Sequence, residues 1–387
     1  MTFNEFIEQN EETRYPTYVN TLVILIAVFL FLFSIMLMVS SINSFGYSFA
    51  NYTITATSNP YIGLFIGLLA TALLQSSSTT TTLIVAAVAS GTISLSSAIP
   101  VVMGANVGTT LTSTIVSMGY INKTNEFRKA VAAGTVHDLF NIIMVVLLFP
   151  IEMRYHLLEK GSRLISALFS SKEVSESMGS FGLSSLFNEI NQWLINHTSN
   201  VFTLILAILL LFACIKFISK LLYNILIGKT KRKFETTVFS NTGRSFGWGL
   251  LLTSAAQSSS LTTSLIVPLV ATGKVRLNRA FQFILGANIG TTITALLAAI
   301  FQSEAALEIA LVHFLFNTLG VVLFLSIPFL TKIPLYLAGK MGDLTLRLRL
   351  VGFAYILITF FLLPFTLISI SQGFEKQVDS SEVPIEG

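Results

Sequence analysis

Long apolar stretches separated by short polar loops dominate the chain. A transmembrane helix needs about 20 residues, and the helix is the spanning element that satisfies its own backbone hydrogen bonds in lipid. The pattern therefore predicts an all-α integral membrane protein. Its predicted membrane segments are 18–41, 61–90, 98–118, 131–150, 200–227, 245–272, 280–301, 306–330 and 350–371.

Two of these segments contain a polar run at their centre. Segment 61–90 contains QSSSTTTT from Gln75 onward, and segment 245–272 contains QSSSLTTS from Gln257 onward. Each arm of about 14 residues would rise only about 21 Å as a helix, which is too short to cross a hydrocarbon core of about 30 Å. The lengths therefore favour re-entrant hairpins, each with a broken helix, that enter and leave the membrane on one side.

The interrupted segments belong to an internal duplication. When the chain is shifted by 182 residues, positions 67–112 align without a gap with 249–294, and more than half of the pairs are identical. After a small deletion, VHDLFN at 136–141 matches VHFLFN at 312–317. The chain therefore contains two copies of one unit. The identical pairs include Gln75 with Gln257 and Asn106 with Asn288.

Loop charges indicate how the two copies are oriented, because cytoplasmic loops accumulate Lys and Arg. Loops 42–60 and 91–97 of the first copy carry no charge, whereas their counterparts in the second copy are basic. The next pair reverses, since loop 119–130 is basic and loop 302–308 is acidic. The sequence thus predicts two inverted-topology repeats, an architecture typical of secondary transporters. The basic residues are Lys123, Arg128 and Lys129 in the first copy and Lys229, Lys231, Arg232, Lys233, Arg244, Lys274, Arg276 and Arg279 in the second.

The same features predict six regions along the chain. The polar linker and tail contain too few apolar residues to form a packed core of their own. The regions are an N-terminal cytoplasmic segment (1–17), a first inverted transmembrane repeat (18–150), an extracytoplasmic linker (151–199), a second inverted transmembrane repeat (200–330), a cytoplasmic loop with a final transmembrane helix (331–371) and a disordered tail (372–387).

Composition excludes several classes of protein. Apolar residues make up 53% of the chain and charged residues 11%, whereas a soluble domain carries about 25% charged residues. Soluble enzymes, nucleic-acid-binding proteins and disordered scaffolds do not have this composition. The single cysteine, Cys214, also excludes a disulfide within the chain.

Polar clusters at membrane depth are the candidate functional residues. They are the two QSSS runs and the strings GANVGTT (104–110) and GANIGTT (286–292). Amide and hydroxyl oxygens are hard ligands that suit sodium, so Asn106 and Asn288 are candidate sodium ligands, while hydroxyls and helix N-terminal N–H groups suit an oxyanion. Small polar residues can also serve only helix packing. Repetition of the runs favours ion binding, whereas half of the hydroxyls of Thr79–Thr82 are expected to serve packing.

Asp138 is a carboxylate well inside an apolar segment, and the matching position in the second copy is Phe314. An intramembrane acid is usually functional. His137, Asp138 and Asn141 lie within about one helical turn, so all three are expected to reach one cavity. Because no metal-ligand set accompanies His137 or His313, these side chains are expected to form packing hydrogen bonds.

Enzyme motifs do not occur in the apolar segments. They contain no G-x-S-x-G nucleophile motif, no Gly-rich phosphate loop with its lysine and no Cys and His cluster. We therefore expect neither an enzyme nor a cofactor. An intramembrane serine hydrolase or a sodium channel built on the same hairpins remains the alternative class.

Several strings together resemble one known family. The QSSS run with its Thr-rich sequel, GAN-x-GT, EFRKA (126–130), TVHDLFN (135–141) and the second QSSS with GANIGTT are similar to those of the type II sodium-dependent phosphate cotransporters. The resemblance covers roughly 60–155 and 240–330. It implies sodium-driven import of inorganic phosphate, with another small oxyanion as the alternative substrate. The linker is short and lacks the cysteine pair of animal members, which favours a multi-pass protein of a bacterial inner (plasma) membrane.

The resemblance also implies roles for individual residues. Asp138 matches the acid of electrogenic animal members, whereas Lys123, Tyr120 and Ala287 differ from the Asp, Gln and Ser of a further family sodium site. Implied or expected sodium ligands are Gln257, Ser258, Thr291, Thr294, Asn141, Asp138, Asn106 and Asn288. Phosphate is expected to contact Gln75, Ser76, Ser77, Ser78, Ser258, Ser259 and Ser260.

Charge balance gives a physical reason for coupling. A divalent phosphate entering a low-dielectric cavity that lacks Lys and Arg needs bound cations, so sodium and phosphate should raise each other's affinity. The expected partners are therefore inorganic phosphate, sodium and the lipid bilayer, without nucleic acid. The sequence does not indicate an oligomeric state.

Overall fold

A computed structural model describes residues 17–46, 53, 57–169, 183–227, 237–300 and 302–370. Most of the predicted N-terminal segment and the whole predicted tail lie outside these residues, as do Lys229, Lys231, Arg232 and Lys233. The described chain consists of helices and short connections without a strand. The predicted all-α class is confirmed.

The first half of the described chain contains seven α-helices. They are α1 (Thr17–Ser44), α2 (Pro60–Leu74), α3 (Ser77–Ala89), α4 (Leu95–Gly108), α5 (Leu111–Met118), α6 (Thr124–Tyr155) and α7 (Leu157–Phe169).

The described second half contains nine α-helices. After Leu357 the chain passes through a π-helical turn, Ile358–Leu362, and stays helical to Ile370. The helices are α8 (Leu183–His197), α9 (Asn200–Ile227), α10 (Thr242–Ala256), α11 (Ser259–Ser264), α12 (Ile266–Ala271), α13 (Leu277–Ala299), α14 (Glu304–Ser326), α15 (Pro328–Thr345) and α16 (Val351–Leu357).

Seven helical stretches of the described chain are long and apolar enough to cross a membrane. Together with the two interrupted segments, they account for the nine apolar segments predicted from sequence. The stretches are Leu25–Ser44, Leu95–Met118, Thr124–Tyr155, Asn200–Ile218, Leu277–Ala299, Glu304–Ser326 and Val351–Ile370.

Both QSSS segments are broken at the same place, as the sequence predicts. Helix α2 ends at Gln75 with φ 51° and ψ 29°, and α10 ends at Gln257 with φ 49° and ψ 27°. A left-handed residue of this kind terminates a helix. Ser76 and Ser258 follow, and each hydroxyl accepts a hydrogen bond from the backbone N–H three residues later. Each serine is therefore an N-cap that starts the next helix.

Glycines bring the broken segment and the next helix into close contact in both copies. A Cβ at Gly104 would lie 1.8 Å from the carbonyl oxygen of Leu64, and one at Gly286 would lie 2.0 Å from that of Phe246. Only glycine fits at such distances. Helix α2 thus packs on α4 in the same way as α10 packs on α13.

The polar region 151–199, expected to be a linker, contains two helices. Helix α7 packs against α14, where Arg163 lies 3.9 Å from Glu308. The buried carboxylate of Glu152 fixes the turn between α6 and α7, because it accepts a 2.6 Å hydrogen bond from the N–H of Leu158. Helix α8 packs against α1. Residues 157–169 are therefore part of the packed structure.

The region 331–349, expected to be a loop, forms most of helix α15. Its small residues Pro334, Ala338, Gly342 and Thr345 share one buried face, and this face packs against α6. A Cβ at Gly342 would lie only 2.4 Å from the carbonyl oxygen of Arg128. The prediction of a loop was wrong because charged residues interrupt the helix and leave no apolar run, whereas a stripe of small residues is enough for close packing.

Candidate ion and substrate site

The two helix breaks contact each other directly. The hydroxyl of Ser78 donates a 2.7 Å hydrogen bond to the carbonyl oxygen of Gln257. The equivalent hydroxyl of the second copy, that of Ser260, lies 3.4 Å from the carbonyl oxygen of Gln75 and donates to it. Each copy therefore supplies a hydroxyl to the break of the other copy.

Two helix N-termini lie at this junction. Helix α3 begins at Ser77 and the helical stretch α11–α12 begins at Ser259, and both serines are buried. The first N–H groups of a helix have no partner within it, and they give the N-terminus a partial positive charge. The junction can thus present N–H and hydroxyl donors from both copies to one anion. All seven residues expected to contact phosphate lie at the two breaks.

Buried oxygens without hydrogen-bond partners occur at the second break and on α13. Within the described residues, Gln257 Oε1, Ser259 Oγ and Thr294 Oγ1 are buried and have no partner. The Thr291 hydroxyl, by contrast, donates to the carbonyl oxygen of Ala287 at 2.9 Å. Buried polar atoms are normally hydrogen-bonded, so the unpartnered oxygens are available to a ligand such as a cation. Gln75, the counterpart of Gln257, is exposed.

Two His and Asn pairs connect the copies in the same reciprocal way. His137 Nε2 lies 2.6 Å from Asn288 Oδ1, and His313 Nε2 lies 3.3 Å from Asn106 Oδ1. All four side chains are buried. The packing hydrogen bonds expected of both histidines are confirmed, and each histidine bonds to the asparagine of the opposite GAN string.

Asn141 joins this network. Its Nδ2 donates to the carbonyl oxygen of Asn106 at 3.0 Å, and its Oδ1 accepts a 2.8 Å hydrogen bond from Asn288 Nδ2. Asn317 Nδ2 also donates to Asn106 Oδ1 at 3.0 Å. The three predicted sodium ligands of this group therefore lie together. Because their amide oxygens already accept hydrogen bonds, only remaining lone pairs could bind a cation without rearrangement.

Asp138 does not join its helical neighbours in that network. Its Oδ2 accepts a 2.7 Å hydrogen bond from Thr114 Oγ1, and the Tyr355 hydroxyl lies close enough to interact with the carboxylate. Successive residues of a helix point about 100° apart, so Asp138 faces α5 while His137 faces α13. The expectation that His137, Asp138 and Asn141 share one cavity was wrong for Asp138. The carboxylate is fully buried, and Oδ1 has no hydrogen-bond partner among the described residues.

The Thr run after the first break mainly serves its own helix. The hydroxyls of Thr80, Thr81 and Thr82 donate to carbonyl oxygens four residues earlier, at 3.0, 2.8 and 2.8 Å. Thr79 Oγ1 is hydrogen-bonded to Ser76 Oγ at 2.8 Å. The hydroxyls of Thr80, Thr81 and Thr82 thus bond within their own helix, whereas that of Thr79 bonds to the N-cap serine.

Some polar contacts of the site were not predicted. Ser113 Oγ and Thr263 Oγ1, from different copies, are hydrogen-bonded at 3.0 Å. Thr114 and Tyr355, which lie beside Asp138, were also missed. The hydroxyls at 112–114 stand in an apolar context and could have been noticed, but nothing near Tyr355 in the sequence links it to an acid more than two hundred residues earlier.

Comparison with known proteins identifies the family. The model of the Na+/Pi-cotransporter family matches residues 30–170 and 209–364, which are most of the chain. The chain belongs to the Na+/Pi-cotransporter family. Membership of this transporter family, together with seven apolar helices long enough to cross a bilayer, makes it a multi-pass membrane protein. No solved structure matches the chain.

Two curated relatives illustrate how far the likeness to other Na+/Pi-cotransporter sequences extends. Sodium-dependent phosphate transport protein 2B of Pongo abelii is 29% identical over 435 aligned positions, covering 88% of this chain and 63% of the relative. Sodium-dependent phosphate transport protein 2A of Ovis aries is 31% identical over 395 positions, covering 82% of this chain and 62% of the relative. The chain thus spans less than two-thirds of the length of these relatives.

Proposed function

We propose that the chain is a sodium-coupled symporter that imports inorganic phosphate and holds it between the two helix breaks. One observation carries this proposal: Ser78 bonds to the break at Gln257, and Ser260 bonds to the break at Gln75. These two hydrogen bonds bring hydroxyls and helix N-termini of both copies together, an arrangement that suits a small oxyanion. The family and the names of the relatives point to phosphate and sodium.

Sodium is needed at this site because the breaks carry no positive side chain. Residues 75–78 and 257–260 are all Gln or Ser. The buried, unpartnered oxygens of Gln257 and Thr294 can bind a sodium ion next to the anion. Each ion then stabilises the other against the cost of leaving water, so their affinities are coupled reciprocally. Gln257, Ser258, Thr291 and Thr294 are the proposed ligands of this sodium.

Inverted repeats are part of the proposal. Lys129 of the first copy lies over Gly273 of the second, with Nζ 3.3 Å from where a Cβ of that glycine would be. Loop 119–123 and the turn at 273–276 therefore lie at the same end of the molecule. In the first copy, the 24-residue helical stretch Leu95–Met118 separates loop 119–123 from the loop that matches 273–276. In the second copy, the 23-residue helix Leu277–Ala299 separates the turn at 273–276 from the loop that matches 119–123. The contact thus supports two copies of opposite orientation.

We also propose that the protein lies in a bacterial inner membrane and that each transport cycle moves net charge across it. An ionised Asp138 would allow one more sodium ion to accompany each phosphate. Each charge that crosses the whole membrane field contributes about 2.3 kcal/mol per 100 mV. The membrane potential would then drive uptake together with the sodium gradient.

Equilibrium binding tests the proposal. Labelled phosphate is titrated into the purified protein in sodium buffer and in potassium buffer of equal ionic strength. We expect tight binding only in sodium, and unlabelled sulfate should compete much more weakly than unlabelled phosphate. Equal phosphate binding in both buffers contradicts the coupling, whereas preferential competition by sulfate reassigns the substrate to another oxyanion.

A further inference from the structure

A basic cleft lies away from the two breaks. It encloses about 400 Å³ between the start of α6, the turn from α12 to α13, and α15. The stretch Ser259–Ala271 separates this turn from the second break, and 13 helical residues correspond to about 20 Å. The cleft is therefore a place distinct from the proposed transport site. Its lining includes Arg128, Lys129, Arg276 and Gly273.

The charge of the cleft is strongly positive. Arg128 Nε lies 2.7 Å from Asp343 Oδ1, so its charge is compensated. Among the described residues, no acid lies within ion-pairing distance of Lys129 or Arg276. Lys129 reaches the cleft over Gly273, where a Cβ would lie only 3.3 Å from its Nζ. Two uncompensated cations from different repeats thus face one cavity.

The internal duplication allows the N-terminus of α13 to be compared with the matching N-terminus of α4. Arg276 occupies the N-cap of α13, and its side chain caps none of the first N–H groups of this 23-residue helix. The equivalent N-cap of the first copy is Ser94, whose hydroxyl accepts the N–H of Ser97. The second copy therefore has an additional positive charge, and its helix N-terminus lacks the side-chain cap that the first copy has. Both changes favour an anion.

The geometry points to a binding site for a phosphate group in this cleft. Arg and Lys side chains together with helix N-terminal N–H groups recognise the several oxygens of a phosphate, and the apolar walls from Ala132, Val270 and Leu277 can accept an attached glycerol or alkyl part. The ligand is either free inorganic phosphate or the head group of an anionic phospholipid. In both cases it bridges the first repeat and the second repeat at the end rich in basic residues.

The test uses a variant that imitates the first copy. Arg276→Ser introduces the residue that caps α4, so α13 should remain folded, and Lys129→Gln removes the second charge. The matched control is Arg347→Gln with Arg349→Gln, which removes two exposed charges at the same end of the molecule. Native mass spectrometry of the purified proteins measures retention of phosphatidylglycerol against phosphatidylcholine. Thermal melting with inorganic phosphate in potassium buffer measures the free anion.

The two measurements separate the sources of the ligand. Retention of phosphatidylglycerol by wild type and control, reduced about tenfold in the Lys129 and Arg276 double variant, identifies the lipid. A rise in melting temperature with phosphate that only the double variant loses identifies the free anion. The inference is overturned if the double variant matches the control in both measurements.

Discussion

Ser78 Oγ and the carbonyl oxygen of Gln257 form a 2.7 Å hydrogen bond between the two copies of the repeat. The reciprocal bond from Ser260 to Gln75 is longer, at 3.4 Å, and lies in exposed surroundings. A buried hydrogen bond costs more to break than an exposed one, because the acceptor loses its partner without gaining water. Ser78 and Ser260 therefore have different surroundings, although they occupy matching positions of the two copies.

Replacing the two serines should reveal this asymmetry. Ser78→Ala leaves the carbonyl of Gln257 unpaired at a cost of about 1–3 kcal/mol, and it removes a proposed phosphate contact. We expect phosphate uptake below saturation to fall about tenfold or more, since 1.4 kcal/mol corresponds to a factor of ten. Ser260→Ala should lose less.

Thr81→Val is the matched control for these serine variants, because its hydroxyl bonds only to carbonyl oxygens of its own helix. Its uptake should stay near that of wild type. A Ser78→Ala variant that transports as well as Thr81→Val would show that the junction does not hold the substrate.

Gln257 and Gln75 should differ in their effect on sodium. Gln257 Oε1 is buried without a partner, whereas Gln75 is exposed. Gln257→Leu removes a proposed sodium ligand, so the half-saturating sodium concentration should rise about tenfold, in line with the worth of a contact to a charged group. Gln75→Leu should change it much less at saturating phosphate, because Gln75 is an expected phosphate contact and not a sodium ligand. The measurement is phosphate uptake as a function of sodium concentration, and equal shifts in the two variants would remove Gln257 from the sodium site.

Asp138 should determine the response to membrane potential. Asp138→Asn keeps an acceptor for Thr114 but removes the charge, so uptake should continue and lose its dependence on an imposed potassium diffusion potential. Thr114→Val serves as the control, because it disturbs the same contact and leaves the carboxylate in place. If Asp138→Asn responds to the potential as strongly as wild type, the acid does not carry the coupling charge.

Packing of the broken segments should depend on specific glycines. A Cβ at Gly249 would lie 2.0 Å from the carbonyl oxygen of Phe283, whereas one at Gly247 would meet nothing within 4 Å. Gly249→Ala should therefore destabilise the protein by at least about 1–3 kcal/mol, while Gly247→Ala should be neutral or slightly stabilising. Thermal melting in detergent measures both. Equal melting temperatures would mean that α10 and α13 do not pack as closely as the structure has them.

Much of the fold follows from the sequence because apolar length is its main determinant. The nine apolar segments, and the breaks at Gln75 and Gln257, were predictable from segment length and from the polar runs. Helix α15 was not predictable in this way, since its buried face consists of small residues and its exposed face is charged. Close packing of small residues leaves no hydrophobic signal in a linear pattern.

The site was predictable in its composition but only partly in its geometry. Duplication of QSSS and GAN identified the residues that meet at the junction and in the His and Asn network. Helical spacing placed Asp138 with His137, yet the fold directs its carboxylate to Thr114 and Tyr355. Which neighbouring helix a side chain faces depends on how helices pack, and spacing along one helix does not contain that information.

Uptake of labelled phosphate into proteoliposomes of the purified protein tests the central claim most directly. An inward sodium gradient is compared with an equal potassium gradient, and protein-free liposomes give the background. The account predicts concentrative uptake with sodium and background uptake with potassium. Uptake that is equally strong in potassium, or absent in both, would contradict sodium-coupled phosphate import by this chain.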